Sequence, residues 1–221
     1  MSRILFVLTG ADHWTLADGT RHPTGFWAEE VTVPYEAFTA AGHEVVVATP
    51  GGVVPTVDDG SLTDDTVATA VEAMTELRRP IALADVRLGD YAAVYYPGGH
   101  GPMEDLATDA ESGRLLGEAL ASGRPLGVVC HGPAALLATG ADGASPFAGY
   151  RLTGFSNAEE TQGGLAPRAP WLLQDRLAGL GADVVVAEPW APHVVVDRNL
   201  VTGQNPASSA GVAEEMLRAL A

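Results

Sequence analysis

There is one cysteine in the 221 residues. An intrachain disulfide is excluded, and with no C-x-x-C pair the chain has neither a cysteine zinc site nor a dithiol redox motif, which points to a reducing compartment, the cytoplasm. Basic residues are scarce as well: 12 Lys and Arg against 28 Asp and Glu leave a formal charge of −16. Such a field repels nucleic acid and anionic membrane surfaces, so neither is expected as a partner. Long apolar runs are also missing. The run after Arg3 is too short for a signal peptide and has no small-residue cleavage site, and no segment reaches transmembrane length. No linker-like tract interrupts the chain, and 47% hydrophobic residues can fill one core, so residues 1–221 read as a single domain.

What is present is an alternation of short β-branched runs with amphipathic stretches. Residues 4–8, 44–48, 92–96 and 125–129 read as buried parallel strands, with helices predicted near 26–41, 63–79 and 112–121 as crossovers. Beyond them come a strand at 151–153, a helix near 170–180, a strand at 183–187, a hairpin over 194–201 and a last helix near 208–220. The pattern predicts an α/β fold, a doubly wound, mostly parallel sheet in a three-layer sandwich. Sheets of this kind bind ligands beyond the carboxyl ends of their strands, where Thr9-Gly10, Pro97-Gly98-Gly99-His100-Gly101 and Cys130 should emerge together.

Cys130 stands where Leu126-Gly127-Val128-Val129 ends and His131-Gly132-Pro133-Ala134 begins a predicted helix. A strand turning straight into a helix at a thiol is a nucleophile elbow, with the sulfur near helix N–H groups that favour the thiolate. A lone cysteine is ordinarily a small buried hydrophobe. The adjacent His131, Gly132 and Pro133 have no part in that role and point to an activated thiol.

The glycines of Pro97-Gly98-Gly99-His100-Gly101 match neither the dinucleotide fingerprint nor the Walker loop. Backbone N–H groups of Gly98 and Gly99, with that of His131, could instead form an oxyanion hole. Glu30 falls on the apolar stripe of its helix with Trp27, Val31, Tyr35 and Phe38, and desolvation there would keep it protonated. The His131 side chain is expected to diverge from Cys130 yet to stay at the mouth of the pocket as general base, oriented by Glu159 or Glu160, between which spacing does not choose. His13, His22, His43 and His193 show no metal-ligand spacing, and no metal is implied.

Taken together, Thr24-Gly25-Phe26-Trp27-Ala28-Glu29-Glu30, Pro97-Gly98-Gly99-His100-Gly101, Val129-Cys130-His131-Gly132-Pro133-Ala134, Thr153-Gly154-Phe155 with Glu160, and Val201-Thr202-Gly203-Gln204-Asn205-Pro206-Ala207-Ser208 resemble the ThiJ/PfpI superfamily, with its glutamine-amidotransferase-like, flavodoxin-type fold. The similarity covers nearly the whole chain and is greatest to the heat-shock chaperone branch known as glyoxalase III or D-lactate dehydratase. Carried over by motif, it implies Cys130 as nucleophile, His131 as base, Glu160 as its orienting acid and Glu30 as the buried acid touching the thiol. Gly98, Gly99 and the His131 N–H are the expected oxyanion donors, and Phe26, Trp27, Phe155, Trp171 and Trp190 the expected pocket wall. The implied activity converts a small dicarbonyl, methylglyoxal or glyoxal, to D-lactate or glycolate without cofactor or metal, in a homodimer.

The chain departs from some bacterial relatives in being too short for their lid segment and in showing no histidine and carboxylate metal cluster. Two other functions share the fold. An amidase or glutaminase is disfavoured because His193-Val194-Val195 lacks the later His-x-Glu pair of class I amidotransferases. A stress chaperone or redox sensor would instead oxidise Cys130, without dicarbonyl turnover.

Overall fold

Short runs of Val, Ile, Leu and aromatic residues bounded by Gly and Pro favour buried strands, and the chain uses them so. The computed structural model describes residues 2–140 and 143–221. In chain order the strands are β1 (Arg3–Val7), β2 (His13–Thr15), β3 (Arg21–Pro23), β4 (Glu44–Thr49), β5 (Ile81–Ala82), β6 (Ala93–Tyr96), β7 (Leu126–Val129), β8 (Arg151–Leu152), β9 (Asp183–Val184), β10 (Val194–Asp197) and β11 (Leu200–Gly203). The helices are α1 (Ala28–Ala40), α2 (Asp65–Ala73), α3 (Gly101–Glu104), α4 (Ala110–Ser122), α5 (Asn157–Gln162), α6 (Leu173–Gly179) and α7 (Ser209–Leu220).

Among the described residues, seven strands form one sheet in the order β10-β11-β7-β6-β1-β4-β5. Every pairing is parallel except β10 with β11, the predicted hairpin, in which Val194 faces Gly203. Phe6 of β1 lies in register with Val47 on one side and Tyr95 on the other. Both faces of the sheet are shielded by helices: α1, α2 and α7 pack as one layer, and α4, α6 and the 3-10 segment Gly132–Gly140 as the other. Ile4, Leu5, Phe6, Val94, Tyr95, Leu126 and Val128 have no exposed surface. Each large apolar side chain so buried contributes roughly 1.5–3 kcal/mol, which makes the central strands a rigid platform for whatever projects from their ends.

Several elements differ from the sequence expectation. The strand predicted at 183–187 is reduced to Asp183–Val184, which pairs with Arg151–Leu152 in a separate two-stranded sheet. The helix predicted at 63–79 is interrupted: α2 ends at Ala73 and a 3-10 turn spans Thr75–Arg78. The segment after Cys130 is a 3-10 rather than an α-helix, so the elbow lacks a full α-helical dipole behind it.

The sheet winds outward in both directions from β1 and β6, which creates a crevice at the carboxyl ends. No helix among the described residues is long and apolar enough to cross a membrane.

Candidate active site

Cys130 immediately follows β7 and has φ +59°, a left-handed conformation that β-carbon-bearing residues adopt at a cost of about 1–2 kcal/mol. Its backbone is held from both sides: its N–H donates to the Gly203 carbonyl (2.9 Å), and its carbonyl accepts from the Phe155 N–H (2.8 Å). The conformation turns the Cys130 and His131 side chains toward each other, so they do not diverge as expected. Sγ lies 3.3 Å from His131 Nδ1, and both residues are buried.

The other imidazole nitrogen, Nε2, is 2.8 Å from Glu160 Oε2. Glu160 stands on α5, which opens on a capping box between Ser156 and Glu159. The neighbouring carboxylates are thereby separated in role. Glu159 accepts from Ser156 N and Oγ, Trp190 N and Asn205 Nδ2, all between 2.7 and 2.9 Å, and these bonds hold its carboxyl below the usual range against the opposing effect of burial. Glu160 faces the thiol-bearing pocket. Its second oxygen, Oε1, is 2.9 Å from Nε2 of His100, a residue of the glycine turn for which the sequence suggested no role.

Burial pulls Glu160 upward, but His131 and His100 outweigh it and hold the carboxyl well below its ordinary value. Burial, reinforced by His100, lowers His131 to about 4, so the ring is neutral near pH 7. An ionised Glu160 only accepts, so Nε2 of His131 carries the proton and Nδ1 presents a lone pair to the sulfur. His100, His131 and Glu160 also form a group of three possible metal ligands with donor atoms within 4.8 Å, which corrects the expectation that the chain has no histidine and carboxylate cluster.

Glu30 is fully buried on α1, as its place on the apolar stripe predicted. Its Oε2 accepts from Gly98 N–H at 2.6 Å, Oε1 has no hydrogen-bond partner, and the carboxyl lies close enough to the Cys130 thiol for each to shift the other. Burial raises Glu30 to about 8, so it is protonated at neutral pH and can donate toward the sulfur. Burial, with the Glu30 carboxyl beside it, also pushes the Cys130 thiol well up, against the N–H groups of Gly99 and His131. Burial thus opposes the thiolate that the elbow's N–H groups favour, and the His131 Nδ1 lone pair is the nearest acceptor for the thiol proton.

The glycine pair is a steric requirement. A β-carbon on Gly98 would stand 2.6 Å from His131 N, and one on Gly99, at φ +83°, 2.3 Å from the Gly25 carbonyl oxygen. Gly98 cannot serve as an oxyanion donor, because its N–H is occupied by Glu30. The N–H groups of Gly99 and His131 remain at the sulfur.

These groups line a cavity of about 180 Å³ walled by Trp27, His100, Phe155, Trp190 and Pro206. Phe26 is packed in the core and Trp171 stacks with Arg176, so neither contributes to the wall as expected. Two larger open clefts, of about 560 and 480 Å³, flank the cavity and share Trp27 with it, but neither reaches Cys130.

The elbow, its buried carboxyl and the glycine turn are matched by the profile of the DJ-1/PfpI family over residues 23–219. The chain belongs to the DJ-1/PfpI family. Among curated relatives, the protein/nucleic acid deglycase HchA of Pseudomonas aeruginosa (strain UCBPP-PA14) is 30% identical over 224 residues, an alignment covering 94% of this chain and 77% of that protein. The solved Rapid Encystment Protein 24 kDa of Francisella tularensis is 27% identical with a TM-score of 0.85 over 100% of both chains. Glyoxalase III of Candida albicans superposes with a TM-score of 0.85 over 99% of this chain and 97% of its own at 24% identity, a likeness of fold. The DJ-1/PfpI fold thus places a cysteine, two histidines and the Glu160 carboxylate of this chain around one small cavity, with the Glu30 carboxyl buried beside the sulfur.

Proposed function

We propose that the protein is a cofactor-independent glyoxalase that converts methylglyoxal or glyoxal to D-lactate or glycolate through Cys130. The observation that carries this reading is a buried, protonated Glu30 and a neutral His131 on either side of the same sulfur, which itself opens onto a cavity of about 180 Å³ that suits a two- or three-carbon dicarbonyl. An internal redox reaction of this kind needs proton transfer at adjacent carbons and no electron acceptor.

His131 Nδ1 takes the thiol proton as Sγ adds to the aldehyde carbon, and Glu30 gives its proton to the oxygen that becomes the hemithioacetal hydroxyl. The resulting Glu30 carboxylate removes the hydrogen of the former aldehyde carbon. The enediolate is then protonated at the adjacent carbon by the His131 imidazolium while the hydroxyl proton on the sulfur-bearing carbon passes to the neighbouring oxygen, leaving a 2-hydroxyacyl thioester on Cys130. The Gly99 and His131 N–H groups, which lie at the sulfur, stabilise negative charge on the reacting oxygen. Water releases the acid.

The HchA relatives are named for deglycation of protein and nucleic acid. A hemithioacetal or aminocarbinol on a macromolecule presents the same carbonyl chemistry, but the cavity size favours the free dicarbonyl. A peroxide sensor would need an accessible, acidic thiol, whereas Cys130 is 3% exposed and its thiol is pushed up. The amidotransferase alternative loses its base, because the imidazole at Cys130 belongs to His131 and not to His193.

The test is D-lactate formation from methylglyoxal by metal-free protein without glutathione, beside Cys130→Ala. Cysteine-dependent turnover is expected. Equal activity in both proteins, or none in either, overturns the reading.

A further inference from the structure

We propose that His100 is the general base that activates water to release the acyl group from Cys130, a role that rests on the glyoxalase reading above. One carboxylate sets the tautomers of two imidazoles. Glu160 receives His131 Nε2 on one oxygen at 2.8 Å and His100 Nε2 on the other at 2.9 Å. Because the ionised carboxylate only accepts, each ring carries its proton on Nε2 and leaves Nδ1 with a free lone pair. In His131 that lone pair faces the sulfur. In His100 it has no hydrogen-bond partner among the described residues, and it is not among the buried unpaired atoms, so it is open to water.

Solvent access divides the labour. Glu30 has no exposed surface and the His131 side chain is 2% exposed, whereas that of His100 is 15% exposed and lines both the Cys130 cavity and the 480 Å³ cleft beside it. His100 is therefore the base at the boundary between the reacting sulfur and bulk water. Its ring is held in plane by Trp14, stacked at 5.2 Å and 18°, and its centroid is 4.0 Å from that of His131. A ring so clamped and backed by a carboxylate has the arrangement of an acid-base histidine.

In the step assigned to it, His100 Nδ1 takes one proton from water as the water oxygen bonds to the thioester carbon. The tetrahedral adduct collapses with cleavage of the C–S bond, and the electron pair leaves on Sγ. The proton passes from His100 through solvent to Sγ, so that thioester and water become hydroxy acid and thiol.

The experiment uses His100→Gln, which keeps a donor for Glu160 but has no basic nitrogen, in single-turnover reactions with methylglyoxal. Thioester is trapped with hydroxylamine as the lactoyl hydroxamate, and Cys130 alkylation by iodoacetamide is timed in parallel. Turnover is expected to fall about 10²–10⁴-fold while alkylation is unchanged and thioester accumulates toward one per chain. In His100→Ala, added imidazole should restore thioester breakdown. If turnover and alkylation fall together without trapped thioester, or imidazole fails to rescue a folded His100→Ala, the assignment is overturned and the glyoxalase reading stands. If wild type makes no lactate, the glyoxalase reading fails and the assignment with it.

Discussion

The Cys130 sulfur lies 3.3 Å from Nδ1 of His131, the very next residue. Neighbouring side chains meet in this way only because Cys130 takes up φ +59° between two fixed backbone hydrogen bonds. The proposed nucleophile and its base are thus set by one turn of backbone, and Glu160 holds the far side of the ring.

That arrangement fixes a pH profile. His131 accepts the thiol proton only above its value of about 4, and Glu30 donates only below its value of about 8. A plot of kcat/KM against pH for methylglyoxal should rise through about 4 and fall through about 8. Glu160→Gln removes a carboxylate that raises His131, so the acid limb should move to lower pH while kcat drops about 10²–10⁴-fold through loss of the tautomer. An unmoved acid limb would show that His131 is not the titrating base.

Glu30 also links folding to pH. Its folded value of about 8 lies above the ordinary value of 4.5, so the folded state holds this proton more tightly than the unfolded chain. The resulting stabilisation is complete below about 4.5 and is lost as pH rises toward 8, at up to about 1.4 kcal/mol per pH unit. Glu30→Gln cannot ionise. Its unfolding free energy relative to wild type, measured in urea at pH 5.5 and pH 8.5, should therefore increase across that interval, and a constant difference would contradict a buried protonated Glu30.

Much of this centre was legible in the sequence, and the rest was not, for identifiable reasons. Strand ends at 96 and 129 followed from short apolar runs closed by Pro97-Gly98 and by Cys130, and the position of Glu30 followed from helical periodicity. The link between His100 and Glu160 joins positions 60 residues apart through α5, and no local pattern encodes it. Phe26 and Trp171 could not be told from Trp27 and Trp190 as wall residues, because aromatic character does not report which side of a loop faces a cavity. The thiol's raised pKa was hidden for a similar reason: the N–H groups at the elbow were foreseeable, but the extent of burial that outweighs them is a property of the assembled core.

Trp190 should set substrate size. It holds φ +66°, with its backbone N–H on Glu159 Oε1 at 2.9 Å, its indole N–H on Gln162 at 2.6 Å and its ring edge-on to Phe155 at 5.5 Å. Trp190→Gly keeps the left-handed backbone and opens the wall. The ratio of kcat/KM for phenylglyoxal to that for methylglyoxal should rise about 10-fold or more, with the melting temperature little changed. An unaltered ratio would remove Trp190 from the specificity wall.

The backbone of Glu30 is held as deliberately as its side chain. Pro34 lies one helical turn further along α1 and has no N–H, so the Glu30 carbonyl loses its intrahelical donor; the Tyr95 hydroxyl of β6 supplies the bond instead, at 2.8 Å. Tyr95→Phe leaves that carbonyl buried and unpaired and should cost about 1–3 kcal/mol in urea unfolding. In a Pro34→Ala background the backbone N–H restored at that position can take the carbonyl, so the same Tyr95→Phe change should cost less. A double-mutant cycle is expected to give a coupling of about 1–2 kcal/mol, and additive effects would mean that the tyrosine hydroxyl does not replace the missing helix donor.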